Sequence, residues 1–314
     1  MSHDVIVIGG GQAGLAAGYY LARAGYRFTI LEAAPEPAAA WRERWDSLRL
    51  FTPVRYSSLP GRPFPGDPDH YPSRDEVVDY LTEYARDLPV EYDSRVLAVR
   101  PGFEVELADR TLQADQVIVA TGPFQVPRMP EFAVTVPQLH SAEYRNPASV
   151  PDGRVLVVGG GNTGFQIAEE LAATRDVHLA VGSRQTRLPQ RFAGVDIFRF
   201  LETLGVMRIT ADSRLGRRLK ERETLIGARP RGLTFHGRAI GASGSTVTFE
   251  DGAVDVDAVI WATGFTRDHS WIHAPGVHFL GMPWQRTRGS ALLGWVKHDA
   301  ERLVPQLAPA RVPV

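Results

Sequence analysis

The sequence predicts an α/β fold class made of two Rossmann-like dinucleotide-binding domains, the second inserted into the first. Two repeats and the size of the chain carry this expectation. The segment Val7-Ile8-Gly9-Gly10-Gly11-Gln12-Ala13-Gly14 returns 150 positions later as Val157-Val158-Gly159-Gly160-Gly161-Asn162-Thr163-Gly164. A run of strand residues ending in glycine, Val117-Ile118-Val119-Ala120-Thr121-Gly122, returns as Val259-Ile260-Trp261-Ala262-Thr263-Gly264. A chain of 314 residues with 44% hydrophobic content suits two domains, the usual split being about 150 residues each.

Each glycine motif follows a β-branched apolar run and opens a stretch with helical spacing, Leu15 and Leu21 in the first copy, Phe165, Ile167 and Leu171 in the second. In that order of strand, turn and helix, Gly9, Gly11, Gly14 and Gly159, Gly161, Gly164 permit a sharp turn, close approach to a pyrophosphate and tight packing of helix on strand. The N–H groups of the helix start, where Asn162 and Thr163 stand in the second copy, then hold the phosphates. A single such motif is often an ordinary glycine-rich turn. Two copies, each followed by a second strand (28–32 and 177–181), argue against that.

The copies differ where the ribose would lie. Eighteen residues after Gly14 comes Glu32, whose carboxylate can accept from both hydroxyls of an adenosine ribose. Eighteen residues after Gly164 comes Gly182, followed by Ser183 and Arg184, with Arg187 just beyond. A carboxylate there would repel a 2′-phosphate, whereas a guanidinium with a hydroxyl beside it offers charge-assisted donors, so the second site is expected to take NADPH. The plainer alternatives are a surface glutamate and solvated loop arginines.

If both strand-to-glycine runs mark crossings between domains, the first domain comprises 1–122 and 258–314 and the second 123–257. Ser73 and Glu76 form a capping box ahead of Val77, Val78, Leu81 and Tyr84, which predicts an amphipathic helix. Residues 90–107 alternate as a small antiparallel excursion would. Six prolines between Pro53 and Pro72 predict an ordered loop of unusual length, of the kind that covers a site. From Arg208 to Arg231 the basic residues are interleaved with Asp212, Glu221 and Glu223 and have no aromatic platform, which favours a solvated helical face over a nucleic-acid surface. His269 and His273 could share a helix face, but Pro275 follows and no third ligand is evident, so no metal site is expected.

Composition narrows the chemistry. The 35 Lys+Arg nearly cancel the 36 Asp+Glu, which points to a small-molecule partner rather than nucleic acid or an anionic membrane. No cysteine is present, so a reductase working through its own dithiol is excluded. No apolar run approaches the ~20 residues of a spanning helix, and Val5 to Ile8 follow the start too closely for a leader, so the chain is expected to be soluble and cytoplasmic. The oligomeric state is left open, a homodimer being one option.

These segments resemble the small bacterial members of the flavin-containing monooxygenase superfamily over nearly the whole chain. Besides the glycine motifs, the resemblance is carried by Trp41-Arg42-x-x-Trp45-Asp46-Ser47-Leu48-Arg49-Leu50, Tyr71-Pro72-Ser73, His140-Ser141-x-x-Tyr144, Ala262-Thr263-Gly264-Phe265 and Gly289-Ser290-Ala291. It implies FAD in the first domain and NADPH in the second. It also implies that Trp41, Trp45, Thr121 and the stretch from Trp284 through Gln285 to Arg286 approach the FAD. A helix start at Ser290 would face the flavin pyrimidine edge, where its positive end favours the reduced anion. His140 and Tyr144 would organise the domain junction, and no side-chain acid or base is assigned. The implied chemistry is reduction of FAD by NADPH and addition of oxygen to give a C4a-hydroperoxide, held by bound NADP⁺ until a sulfide or amine takes the distal oxygen. An NADPH oxidase, a flavin-linked reductase and a flavin-bearing sensor or scaffold without turnover are the rivals.

Departures from the pattern fall at Val134 and Val136, Ala39-Ala40, within Phe51-Thr52-Pro53, and in a short segment between Gly264 and Gly289. Tyr144-Arg145 leans away from the Baeyer-Villiger subgroup.

Overall fold

The structure is a computed structural model that describes residues 2–183, 185–221, 224–227 and 231–307. In the first sheet the strands β1 (Ser2–Ile8), β2 (Phe28–Leu31), β3 (Val90–Glu91), β4 (Ala98–Arg100), β5 (Glu104–Glu106) and β6 (Thr111–Val119) take the spatial order β3-β2-β1-β6-β5-β4. β1 runs parallel to β2 and β6, with Val7 between Ile30 and Ile118. β4, β5 and the start of β6 form the expected antiparallel excursion. Val5, Ile6 and Val7 are fully buried, as befits a parallel strand covered on both faces.

In the second sheet β7 (Gln138–His140), β8 (Arg154–Val158), β9 (Asp176–Ala180), β10 (Leu233–His236) and β11 (Ala258–Trp261) are all parallel, in the order β10-β9-β8-β11-β7. Helix α1 (Gln12–Arg23) follows β1, and α3 (Asn162–Leu171) follows β8, as the repeated motif predicts. Between them α2 (Arg74–Ala85) starts at Ser73 with the capping box formed in both directions.

One boundary differs from expectation. The chain does not return to the first domain at residue 258, because β11 pairs with β8 at the centre of the second sheet. The return comes with β12 (His278–Phe279), which joins the first sheet beside β6 at Ile118 and Val119. The reason is symmetry: β6 and β11 do the same job in their own sheets, each followed by an alanine, Ala120 or Ala262, whose carbonyl lies against the glycine motif after the neighbouring strand.

The proline-rich loop packs on α2 instead of covering a site. The Tyr80 hydroxyl accepts from Leu59 N–H at 2.7 Å and donates to Arg62 O at 2.8 Å, while Tyr84 donates to Pro60 O at 2.7 Å. The basic stretch contains α5 (Arg214–Lys220), after α4 (Ile197–Thr203); its Arg214, Arg217, Arg218 and Lys220 face solvent. Phe198, Leu201 and Met207 of this region pack on Trp295, Phe51, Tyr56 and Leu292 and so tie it to the first domain. His269 and His273 lie outside any helix, and among the described residues no metal-binding cluster of His, Asp or Glu forms. No described helix is long and apolar enough to cross a membrane.

Candidate active site

A cavity of about 1440 Å³ lies at the carboxyl ends of the strands of both sheets. Its wall includes Gly9, Gly11, Glu32, Trp41, Trp45 and Thr121 from one side, and Gly159, Gly161, Asn162, Thr163 and Ser183 from the other.

The two glycine motifs are alike in detail. Gly9 has φ +108° and Gly159 φ +140°, where L side chains are strained. A Cβ would stand 2.6 Å from Ala120 O at Gly9 and 2.1 Å from Ala262 O at Gly159. At Gly14 and Gly164 a Cβ would fall 1.9 and 2.1 Å from the carbonyl oxygens of Gly9 and Gly159. The repeated strand-to-glycine runs are thereby explained, since each supplies the carbonyl that only glycine can approach. Neither helix start has a side-chain cap at Gly11 or Gly161. Their free N–H groups and positive helix ends suit a pyrophosphate in each cradle.

Glu32 borders the first cradle, accepting from Gly10 N–H at 2.7 Å and Ala34 N–H at 2.9 Å, as a ribose-binding carboxylate must be held. Trp45 is buried in the same wall with its indole N–H unpartnered among the described residues, a donor that a bound polar group would satisfy. Gln12 reaches across to Ala291 O at 2.8 Å and joins the first helix start to the C-terminal segment. These features fit a flavin dinucleotide in the first cradle and a nicotinamide dinucleotide in the second.

Around the second cradle the cationic donors are not all where the spacing put them. Arg184 lies outside the described residues. Arg187 does not border the cavity; its guanidinium sits 3.8 Å over the Phe165 ring. Arg238, two residues past β10, does border it, and donates from Nη2 to Gly182 O at 3.0 Å beside Ser183. Nothing in the sequence links Arg238 to this site, because it arrives from 56 residues away.

Two expected FAD contacts are corrected. Gln285 does not border the cavity and spends its amide on Phe279 O and Met282 N–H. Ser290 is fully buried, where its hydroxyl accepts from Thr287 N–H at 2.9 Å and Arg286 N–H at 3.1 Å. No helix starts there: turns continue to Trp295, and α6 runs Val296–Leu303. Gly289 has no room to move, a Cβ there meeting that of Trp295 at 2.7 Å. Trp284, Arg288 and Ala291 of the same segment border the cavity.

The junction is built from the two sequence motifs that the helices leave free. His140 accepts from Ala142 N–H at Nδ1, which makes Nε2 the donor to Gly264 O at 3.1 Å. Tyr144 is buried and donates to Glu170 at 2.7 Å. Asp46 accepts from Asn146 at 2.7 Å and Arg74 at 2.6 Å, and these two hold its carboxyl below the usual range. Arg44, overlooked in the sequence although it lies inside the tryptophan motif, borders the cavity with its guanidinium 4.9 Å from the Phe124 ring centre and 5.9 Å from that of Phe265.

Comparison with known proteins agrees with this geometry. Residues 6–192 match the model of the pyridine nucleotide-disulphide oxidoreductase family. An uncharacterized oxidoreductase CzcO-like of Geobacillus kaustophilus is 40% identical over 96% of this chain and 97% of its own. The solved flavin-containing monooxygenase from Stenotrophomonas maltophilia superposes with a TM-score of 0.77 at 31% identity, covering 98% of this chain and 99% of the other. Indole-3-pyruvate monooxygenase YUCCA4 of rice is 33% identical over 53% of this chain and 44% of its own. With no cysteine in the sequence, the dithiol chemistry in the family description has no counterpart here.

Proposed function

We propose that this chain, which belongs to the flavin-containing monooxygenase superfamily, is an FAD-dependent, NADPH-using monooxygenase that places one oxygen atom of O₂ on a soft nucleophile, a sulfide or an amine. The observation that carries this reading is the pair of equivalent glycine cradles opening into one cavity, which lets two dinucleotides meet end to end. When bound, FAD supplies the redox and oxygen chemistry.

The residues bind, orient and exclude water. Gly9, Gly11, Gly14 and the start of α1 hold the FAD pyrophosphate, and Glu32 its adenosine ribose. Gly159, Gly161, Asn162, Thr163 and Gly164 hold that of NADPH, while Ser183 and Arg238 face the 2′-phosphate. Trp41, Trp45 and Thr121 wall the cavity between the two. His140, through its bond to Gly264 O, keeps the linker and with it Phe265 and Arg44 in place.

The test is stoichiometric. Protein loaded with FAD is supplied with NADPH and a set of thioethers, neutral and carboxylate-bearing, and NADPH consumed, sulfoxide and hydrogen peroxide are counted. Sulfoxide formed in proportion to NADPH supports the reading; peroxide equal to NADPH without sulfoxide makes the protein an NADPH oxidase.

A further inference from the structure

The segment that carries Arg286 and Arg288 is pinned along residues 207–211. Ala211 N–H donates to Arg286 O at 2.8 Å, Arg288 N–H to Ile209 O at 3.1 Å, and Gly289 N–H to Met207 O at 3.1 Å. The two arginines nevertheless end in opposite states. Arg286 is paired, its Nε 2.7 Å from the buried Asp299 carboxylate. Arg288 is half-buried at the cavity wall, near Trp284 and Leu292 in the chain, and its guanidinium meets no acceptor among the described residues. Burial pulls its pKa below the ordinary arginine value, and no neighbouring carboxylate offsets that pull.

A guanidinium half withdrawn from water with its donors unspent is available to a ligand that completes it. The phosphates of the two dinucleotides already have donors at the two helix starts and beside Gly182. A single planar fork of one positive charge matches a carboxylate in both shape and charge, whereas a doubly charged phosphate calls for a second cation. The other deep cation of the cavity, Arg44, is instead held against Phe124 and Phe265.

We propose that Arg288 anchors the acceptor molecule by its carboxylate, so that the substrates of this enzyme are monoanionic acids held at one end with the oxidisable atom at the other. The assignment of that anion to the acceptor rests on the monooxygenase reading. The anion site itself is tested without turnover.

The experiment measures equilibrium binding to the oxidised, FAD-loaded protein through perturbation of the flavin absorbance. The probes are three matched pairs: benzoate and benzamide, phenylacetate and phenylacetamide, 3-(methylthio)propanoate and its amide. In wild type at least one carboxylate is expected to bind about tenfold or more tightly than its amide. Arg288→Gln should erase that gap by weakening the carboxylate alone, with FAD content and NADP⁺ affinity unchanged. Arg288→Lys, which keeps the charge and loses the fork, should retain the preference at lower affinity. The proposal is overturned if no carboxylate is preferred in wild type, if the preference survives Arg288→Gln, or if both variants lose FAD or NADP⁺, since the arginine would then serve a cofactor. Carboxylate binding that disappears in Arg288→Gln, combined with no sulfoxide from 3-(methylthio)propanoate, would uphold the anion site and refute the oxygenation reading.

Discussion

One carbon atom decides whether Gly14 can stand where it does, because a Cβ would overlap the carbonyl oxygen of Gly9 at 1.9 Å. Gly164 is in the same position relative to Gly159, at 2.1 Å. Gly14→Val should therefore yield protein that no longer retains FAD, whereas Gly164→Val should stay yellow and lose reduction by NADPH. Absorbance at the flavin maximum and anaerobic reduction read the two effects; equal loss of FAD in both variants would mean that the cradles are not independent. Arg238→Ala should weaken NADPH by about tenfold to a hundredfold, the loss of one or two charge-assisted hydrogen bonds, and leave NADH unaffected. Arg187→Ala should change neither, since that side chain lies on Phe165. The cradle geometry of Glu32 and the six motif glycines is legible because their spacing is local and set by the turn itself. Arg238 is not, because its place beside Gly182 comes from the parallel pairing of β10 with β9, which no short-range spacing encodes.

At the scale of elements, the capping box is legible in the sequence because both of its hydrogen bonds are made within four residues. Burial raises the Glu76 carboxyl, but the Ser73 N–H and His70 outweigh it and draw it down to about 2. Ser73→Ala is expected to lower stability by roughly 0.5–2 kcal/mol, seen as a shift of the denaturant midpoint with unchanged slope. A shift within error would mean that α2 is held by its tyrosine contacts to the proline-rich loop and not by its cap. The end of the second domain was misplaced because β6 and β11 carry the same pattern of residues, and only strand pairing tells a strand that leaves a sheet from one that returns to it. The start of α6 was misplaced for a related reason: Gly289-Ser290-Ala291 has the composition of a helix entry, yet Gly289 is packed against Trp295 and the turn must finish first.

Taken whole, the molecule withdraws five histidines from water in the native state: burial lowers the pKa of His3, His140, His178, His278 and His298 below 6.5. A histidine lowered in this way binds fewer protons folded than unfolded, so stability is full above the unfolded value and falls as pH drops through 6.5 toward the folded pKa. The melting temperature should decline between pH 7 and pH 5.5, ahead of the carboxylates, which titrate near 4. A flat profile across that window would show that these rings stay hydrated. A cavity of about 1440 Å³ shared by two dinucleotides keeps oxygen transfer productive only while water is kept from the flavin. Without an acceptor, NADPH oxidation with release of peroxide is expected, and an acceptor that fits should suppress it.

Oxygen insertion itself is read by running the FAD-loaded protein with NADPH and a thioether under isotopically labelled dioxygen and weighing the sulfoxide. The sulfoxide should carry one labelled oxygen, with NADPH consumed and peroxide falling as the thioether is raised. Unlabelled sulfoxide, or labelled peroxide matching all the NADPH with no sulfoxide at any thioether concentration, would contradict it.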